Sequence, residues 1–146
     1  MAPTELHERA AEQLARQGQR YTSARRGLVE VLLDATHPLT IPEIGRCDTA
    51  LAQSSTYRNL VVMERAGVVQ KVLAADEWYR YELAEELTSR HHHHLICAGC
   101  GVVQDVEVPA ALESRLDRQL SEVASAAGFT LDHHRLDLVG RCTSCA

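Results

Sequence analysis

Two Cys-x-x-Cys pairs, Cys97/Cys100 and Cys142/Cys145, stand near the end of this chain, and four consecutive histidines, His91, His92, His93 and His94, run directly up to the first pair. Four thiolates in two knuckles supply the tetrahedral all-sulfur set that structural zinc prefers. The first knuckle, Cys97-Ala98-Gly99-Cys100-Gly101, carries glycines where a tight turn around a metal calls for positive φ. Two disulfides, or four cysteines unrelated to one another, are the alternatives. If one zinc takes all four thiolates, the fold has to bring residues 97–100 and 142–145 to one point, which limits the path of everything between them.

A chain of 146 residues holds one full domain or two small ones. Aromatic residues make up only 4% of it, so alanine, leucine and valine have to build most of the core. No apolar run is long enough to span a bilayer, and residues 1–9 are polar, without a signal-peptide apolar stretch. These features lead us to expect a cytoplasmic protein, where reducing conditions favour metal over disulfides. Cys47, the odd cysteine, reads as a small buried or semi-buried residue, with redox reactivity as the alternative. The net charge of −5 argues against indiscriminate binding to nucleic acid, yet Arg16, Arg20, Arg25 and Arg26 cluster with no acid among them. A local basic patch on an otherwise acidic protein can still bind phosphates.

The apolar spacing predicts a helix over 4–17 that Gly18 stops, and a second one capped by Thr22 or Ser23 that carries Leu28, Val29, Leu32 and Leu33. Thr40 can cap a short third helix, with Pro42 in its first turn and Ile44 inward. Ser54 or Ser55 opens a fourth, which Gly67 closes. Strands over 68–73 and 78–83 follow, joined by a polar turn. Helices followed by a β-hairpin are the element order of a winged helix-turn-helix. The second half reads as strand 92–97, strand 102–107, helix 109–127 and strand 130–139, with Leu112, Leu116, Leu120 and Val123 forming one stripe to cover a small sheet. The expected class is therefore α+β: a winged-helix DNA-binding domain over 1–83, a linker over 84–90, and a small α/β metal-binding dimerisation domain over 91–146 with a four-cysteine zinc site. So small a sheet buries little surface alone, which leads us to expect a homodimer.

If the histidine run is a strand, its side chains alternate, so His91 and His93 face one way and His92 and His94 the other. One strand can then give two ligands to each of two sites. A small zinc hydrolase is disfavoured because there is no candidate nucleophile and no His-Glu-x-x-His. We expect no enzyme.

The chain resembles the ferric uptake regulator family of metal-sensing repressors almost from end to end. Gly18-Gln19-Arg20-Tyr21-Thr22-Ser23-Ala24-Arg25 is similar to the family's entry to its second helix, and Ser55-Thr56-Tyr57-Arg58 to its recognition helix. The segment from His91 to Gly101 resembles the family's hallmark, and Gly140-Arg141-Cys142-Thr143-Ser144-Cys145 its terminal knuckle. The stretch between Glu43 and Tyr57 is shorter than the family pattern. The resemblance implies a dimeric repressor that binds palindromic operator DNA when a regulatory divalent metal bridges its two halves.

On the same resemblance, His37, Glu82, His92, His94 and Asp105 form the regulatory site, and His91, His93, Glu113 and His134 an additional one, with His133 adjacent to the last. Three imidazoles and two carboxylates suit Fe2+ or Mn2+. Zinc sensors of the family that share the four-histidine run place a cysteine where this chain has Ala84, which tilts the expectation toward iron or manganese. Zinc is the alternative regulatory ion, and a zinc-uptake, peroxide- or nickel-sensing role the alternative function. For DNA, the recognition helix would present Ser55, Tyr57 and Arg58, with Arg20 and Arg25 positioning the backbone and Lys71 and Arg80 as generic phosphate contacts on the wing.

Overall fold

The computed structural model describes residues 2–146. Four helices come first: α1 (Pro3–Arg16), α2 (Ser23–Asp34), α3 (Ile41–Cys47) and α4 (Gln53–Arg65). Each start has a local cause. Pro3 sits in the first turn of α1, and the Thr22 side chain accepts the N–H of Arg25 to cap α2. Thr40 and Glu43 form a reciprocal capping box on α3. α4 departs from expectation by starting earlier, after Ala52, which provides no side-chain cap; the Ser55 hydroxyl instead donates to Ala52 O at 2.9 Å.

An antiparallel hairpin follows, β1 (Val69–Leu73) and β2 (Tyr79–Leu83), in register from Val69↔Leu83 to Leu73↔Tyr79. Leu39 bridges to Tyr81 along its edge and ties the connection between α2 and α3 to the wing. Leu6, Ala10, Leu14, Leu28, Val29, Leu32, Ile44, Leu60 and Met63 pack with wing residues Val69, Tyr81 and Leu83 into one apolar core. The stretch 84–90, read from sequence as a linker, contains the single turn α5 (Glu85–Thr88), and its Leu87 is fully buried in that same core. Burying a leucine stabilises by about 1.5–3 kcal/mol, so this connection is held against the helices.

The second half holds β3 (His93–Cys97), β4 (Val103–Val106), α6 (Ala110–Ala126) and β5 (Asp137–Gly140). Its sheet has the order β4-β3-β5, with β3 antiparallel to β4 and parallel to β5. Two expectations from sequence fail here. The last strand is confined to four residues, because 129–136 are irregular, with His134 buried and the Arg135 side chain donating to Lys71 O at 3.0 Å. The stripe on α6 does not cover the sheet either. No residue of α6 is buried, and Leu112 and Val123 are exposed. The apolar core of this half is a small cluster of Ile96 and Val103 with Val72 and Ala74 of the wing, so the two sheets share it.

Candidate metal centres

The β3–β4 turn and the chain after β5 bring Cys97, Cys100, Cys142 and Cys145 together, with all four sulfurs within 4.8 Å of one another. The parallel β3–β5 pairing is what does this: it sets Cys97 opposite Gly140, just ahead of the second knuckle. The two knuckle glycines serve different needs. Gly101 has φ +74° and a Cβ there would also meet Asp76 Oδ2 at 2.6 Å, whereas Gly99 is required for close approach alone, since its Cβ would lie 2.9 Å from Cys145 Cβ. Backbone N–H groups of Cys142 and Gly99 reach Cys97 Sγ at 3.3 Å. Hydrogen bonds of this kind, from Cys142 first and then Cys100, hold the Cys97 thiol at about 6. The surrounding sulfurs, Cys100 foremost, push Cys145 up to about 12. Four crowded sulfurs cannot all ionise unaided, and a divalent cation at their centre removes that conflict. These four cysteines are free thiols and the donor set fits zinc, whereas Cys47, expected to be at least semi-buried, is exposed at the end of α3.

The histidines divide by face. His92 and His94 meet Glu82 of β2 and Asp105 of β4, with one ligand atom from each within 4.8 Å of the others. Nε2 of His92 lies 3.1 Å from one Glu82 oxygen and Nε2 of His94 3.0 Å from the other. Burial alone would raise Glu82, but hydrogen bonds from His92, His94 and Gln70 outweigh it and hold the carboxyl at about 2. The same contact with Glu82 lifts His92 to about 9. Burial raises Asp105, which leaves it the weaker acid of the pair. Nδ1 of His94 faces Asp137 at 3.1 Å, an outer carboxylate that directs Nε2 inward. His37 stands apart: it is exposed at the end of α2 and lines a cleft of about 420 Å³ together with Glu82, His92 and Asp105.

On the other face, His91, His93, Glu113 of α6 and His134 converge within 4.8 Å. Nε2 of His93 is 2.9 Å from one Glu113 oxygen, while Nε2 of His134 and of His91 lie 2.9 Å and 3.2 Å from the other. Among the described residues, buried Glu113 Oε1 and His134 Nε2 nevertheless have no hydrogen-bond partner, although they are neighbours. Lone-pair atoms that converge in this way suit a cation between them, and three imidazoles with one carboxylate suit zinc. His133 is exposed and takes no part in the cluster.

Three carboxylates around these rings were not legible as partners in the sequence. Asp117, 3.1 Å from His134 Nδ1, lies one helical turn after Glu113, a spacing that could have flagged it. Asp137 reaches His94 only through the tertiary fold, whereas Glu85 lies six residues before His91 and is turned toward it by α5.

On α4, Tyr57 and Arg58 are exposed, as a DNA-reading pair requires, and Ser55 is half-buried at the helix start. Arg20 is exposed, but Arg25 is not. Its guanidinium is buried and donates to Asn59 Oδ1, Arg20 O and Gln19 Oε1, tying α2 to α4. The expectation that Arg25 clamps a phosphate is therefore corrected, because its donors are already engaged within the fold. Lys71 pairs with Glu64 at 3.1 Å and Arg80 with Asp76 at 2.8 Å, so the wing cations are also engaged.

A winged helix joined to a small sheet, with clustered cysteines and histidines in and beside that sheet, defines a metal-responsive DNA-binding regulator. Residues 16–139 match the model of the ferric uptake regulator family. The chain belongs to that family and is a metal-responsive transcriptional repressor. It is 29% identical to the peroxide operon regulator of Bacillus subtilis (strain 168), covering 100% of this chain and 97% of the relative. Identity to the ferric uptake regulation protein of Campylobacter jejuni is also 29%, covering 96% of this chain and 88% of the relative. Among solved structures, the Vibrio cholerae ferric uptake regulator superposes with a TM-score of 0.68 at 27% identity, covering 90% of this chain and 98% of that one. The Helicobacter pylori ferric uptake regulator matches the fold with a TM-score of 0.75 at 23% identity, covering 99% and 94%. The family consists of transcriptional regulators that bind DNA and act as dimers. Among the described residues no helix is long and apolar enough to cross a membrane.

Proposed function

We propose that this repressor binds palindromic operator DNA as a homodimer when a regulatory divalent ion joins its two halves. The observation that carries this reading is that Glu82 comes from the wing, whereas His92, His94 and Asp105 come from the second half. A cation held by all four stabilises one relative orientation of the halves. The energy of binding it then becomes preference for the DNA-competent state. Cys97, Cys100, Cys142 and Cys145 hold structural zinc, and His91, His93, Glu113 and His134 hold an additional ion. Arg20, Ser55, Tyr57 and Arg58 face the DNA, with Arg25 bracing them. Exposed Leu95, Leu112, Val123, Phe129, Leu138 and Val139 in the second half supply apolar surface for a second copy.

Iron or manganese is the preferred regulatory ion, because every available donor is nitrogen or oxygen and His37 on the rim of the cleft can raise the ligand number to five. Zinc is the second reading, supported by the fact that four ligands converge without His37. Metal analysis of protein purified anaerobically, paired with operator footprinting across added metals, tests the assignment. We expect one tightly held zinc per subunit, and protection that depends on added Fe2+ or Mn2+ and is lost in His37→Ala. Protection by zinc that survives His37→Ala selects the zinc reading, and protection that ignores every metal overturns both.

A further inference from the structure

Glu85 is the first residue of α5, the single turn between the wing and the histidine run. That turn is fixed from two sides. Leu87 sits in the helical core, and Arg9 of α1 donates to Glu86 O at 2.6 Å and to Ser89 Oγ at 3.1 Å. From this platform the two Glu85 oxygens diverge. Oε2 lies 2.9 Å from Nδ1 of His91, and Oε1 accepts the backbone N–H of His92 at 3.2 Å. His91 and His92 belong to different clusters, and Glu85 belongs to neither set of converging atoms.

The contact falls where the sheet offers least support. Pairing of β3 with its neighbours begins at His93, so His91 and His92 precede the ladder. Which way these two rings point is set by the backbone at this junction, and Glu85 holds that junction by both a ring nitrogen and an amide. An imidazole whose Nδ1–H is committed to a carboxylate keeps Nε2 for a ligand, and His91 Nε2 is the atom that faces Glu113 at 3.2 Å.

We propose that Glu85 is a positioning residue shared by the two histidine centres, presetting the tautomer of His91 for one and the backbone of His92 for the other. The proposal rests on the reading that both clusters hold metal. It also makes α5 the element through which the helical half supports both centres at once, since one side chain serves two sites on opposite faces of the chain.

The test is competition titration of Zn2+ against a chelator, on full-length protein that retains its cysteine-bound zinc. His94→Ala isolates the His91 centre and His93→Ala the His92 centre. Adding Glu85→Ala to each is expected to lower zinc affinity about 10–100-fold in both backgrounds, with the melting temperature of the metal-free protein unchanged. Glu85→Gln keeps the length of the side chain and one carbonyl acceptor, so it should recover the His91 centre more fully than Glu85→Ala. The 15N shifts of the His91 ring should report a single Nδ1–H tautomer in the wild type and in Glu85→Gln, and a mixture in Glu85→Ala. Affinity unchanged in either background, or Gln no better than Ala at the His91 centre, overturns the proposal. If His93→Ala and His94→Ala each still bind two exchangeable ions, the two-centre reading fails and the proposal falls with it.

Discussion

The two halves of this protein are held together by different forces. In the first, fifteen buried residues from α1 through α5 and the wing form a continuous apolar core, including Leu14, Leu28, Ile44, Leu60 and Leu87 at 0% exposure. In the second, α6 has no fully buried residue, β5 is exposed along its length, and the apolar cluster depends on two wing residues. What converges there instead is sulfur, imidazole and carboxylate. A half stabilised by hydrophobic burial keeps its shape whatever the metal supply, whereas one built on ligand clusters takes part of its folding energy from metal. That division suits a sensor, because the ion acts on the half that reports it and leaves the DNA-reading half folded.

The largest test of this contrast is the zinc knuckle. Cys97→Ser or Cys142→Ser should release one zinc per subunit and unfold the second half. Limited proteolysis should then yield a resistant fragment ending near α5. Cleavage spread evenly over both halves would show that they fold as one unit. Leu60→Ala is the converse: it should cost about 2–5 kcal/mol in denaturant unfolding, with zinc stoichiometry kept in the folded fraction. If zinc is lost in proportion well before unfolding, the halves are more tightly coupled than their cores suggest.

Two arginines sharpen the comparison within the first half. Arg25→Ala removes a buried, charged hydrogen-bonding group and should cost about 1.5–3 kcal/mol of stability, weakening binding to all operators without altering its salt dependence. Arg58→Ala should leave stability alone and relax preference at one base pair per half-site by roughly 1–3 kcal/mol. Operator variants measured at several salt concentrations separate the two. A salt slope reduced by Arg25→Ala would restore that residue to the phosphate contacts.

The smallest expected effect is that of pH on the metal-free protein. His92 is raised from 6.5 to about 9 by Glu82, so its contribution is complete below 6.5 and is lost as pH rises through 9. Glu82 is lowered to about 2, so its own contribution holds above 4.5 and is lost only as pH falls toward 2. The melting temperature of metal-free protein should therefore decline between pH 6.5 and 9, and less so in His92→Ala. Over the same interval, affinity for the regulatory ion should rise, because His92 has to shed its proton to bind. A melting temperature independent of pH in the wild type would remove the ion pair from the account.

The element order was legible because apolar spacing, Thr22, Thr40 and the glycines after α1, α4 and α6 act locally, within a turn or two of chain. The grouping of the candidate ligands was legible for a similar reason: alternation along four histidines is a property of extended backbone, and it survives although pairing starts only at His93. Other features lay beyond local pattern. Arg25 takes two of its partners, Arg20 O and Gln19 Oε1, from nearby in the chain, but the one that makes it a brace between α2 and α4 is Asn59, thirty-four residues away, which no local pattern announces. Whether the α6 stripe covers its own sheet depends on where the β4–β5 connection carries it.

By itself the sequence determined which side chains were available to bind metal, how they alternate, and where helices begin and stop, because these follow from covalent spacing and backbone geometry. Only the tertiary structure decided which of them meet. The parallel pairing of β3 with β5 closes the four-cysteine cluster, and the packing of the wing against the second sheet brings Glu82 to His92 and His94. α5 sets one carboxylate against two neighbouring histidines. The physical reason is range: propensity and capping are settled within a few residues, whereas convergence of ligands depends on the path of the whole chain.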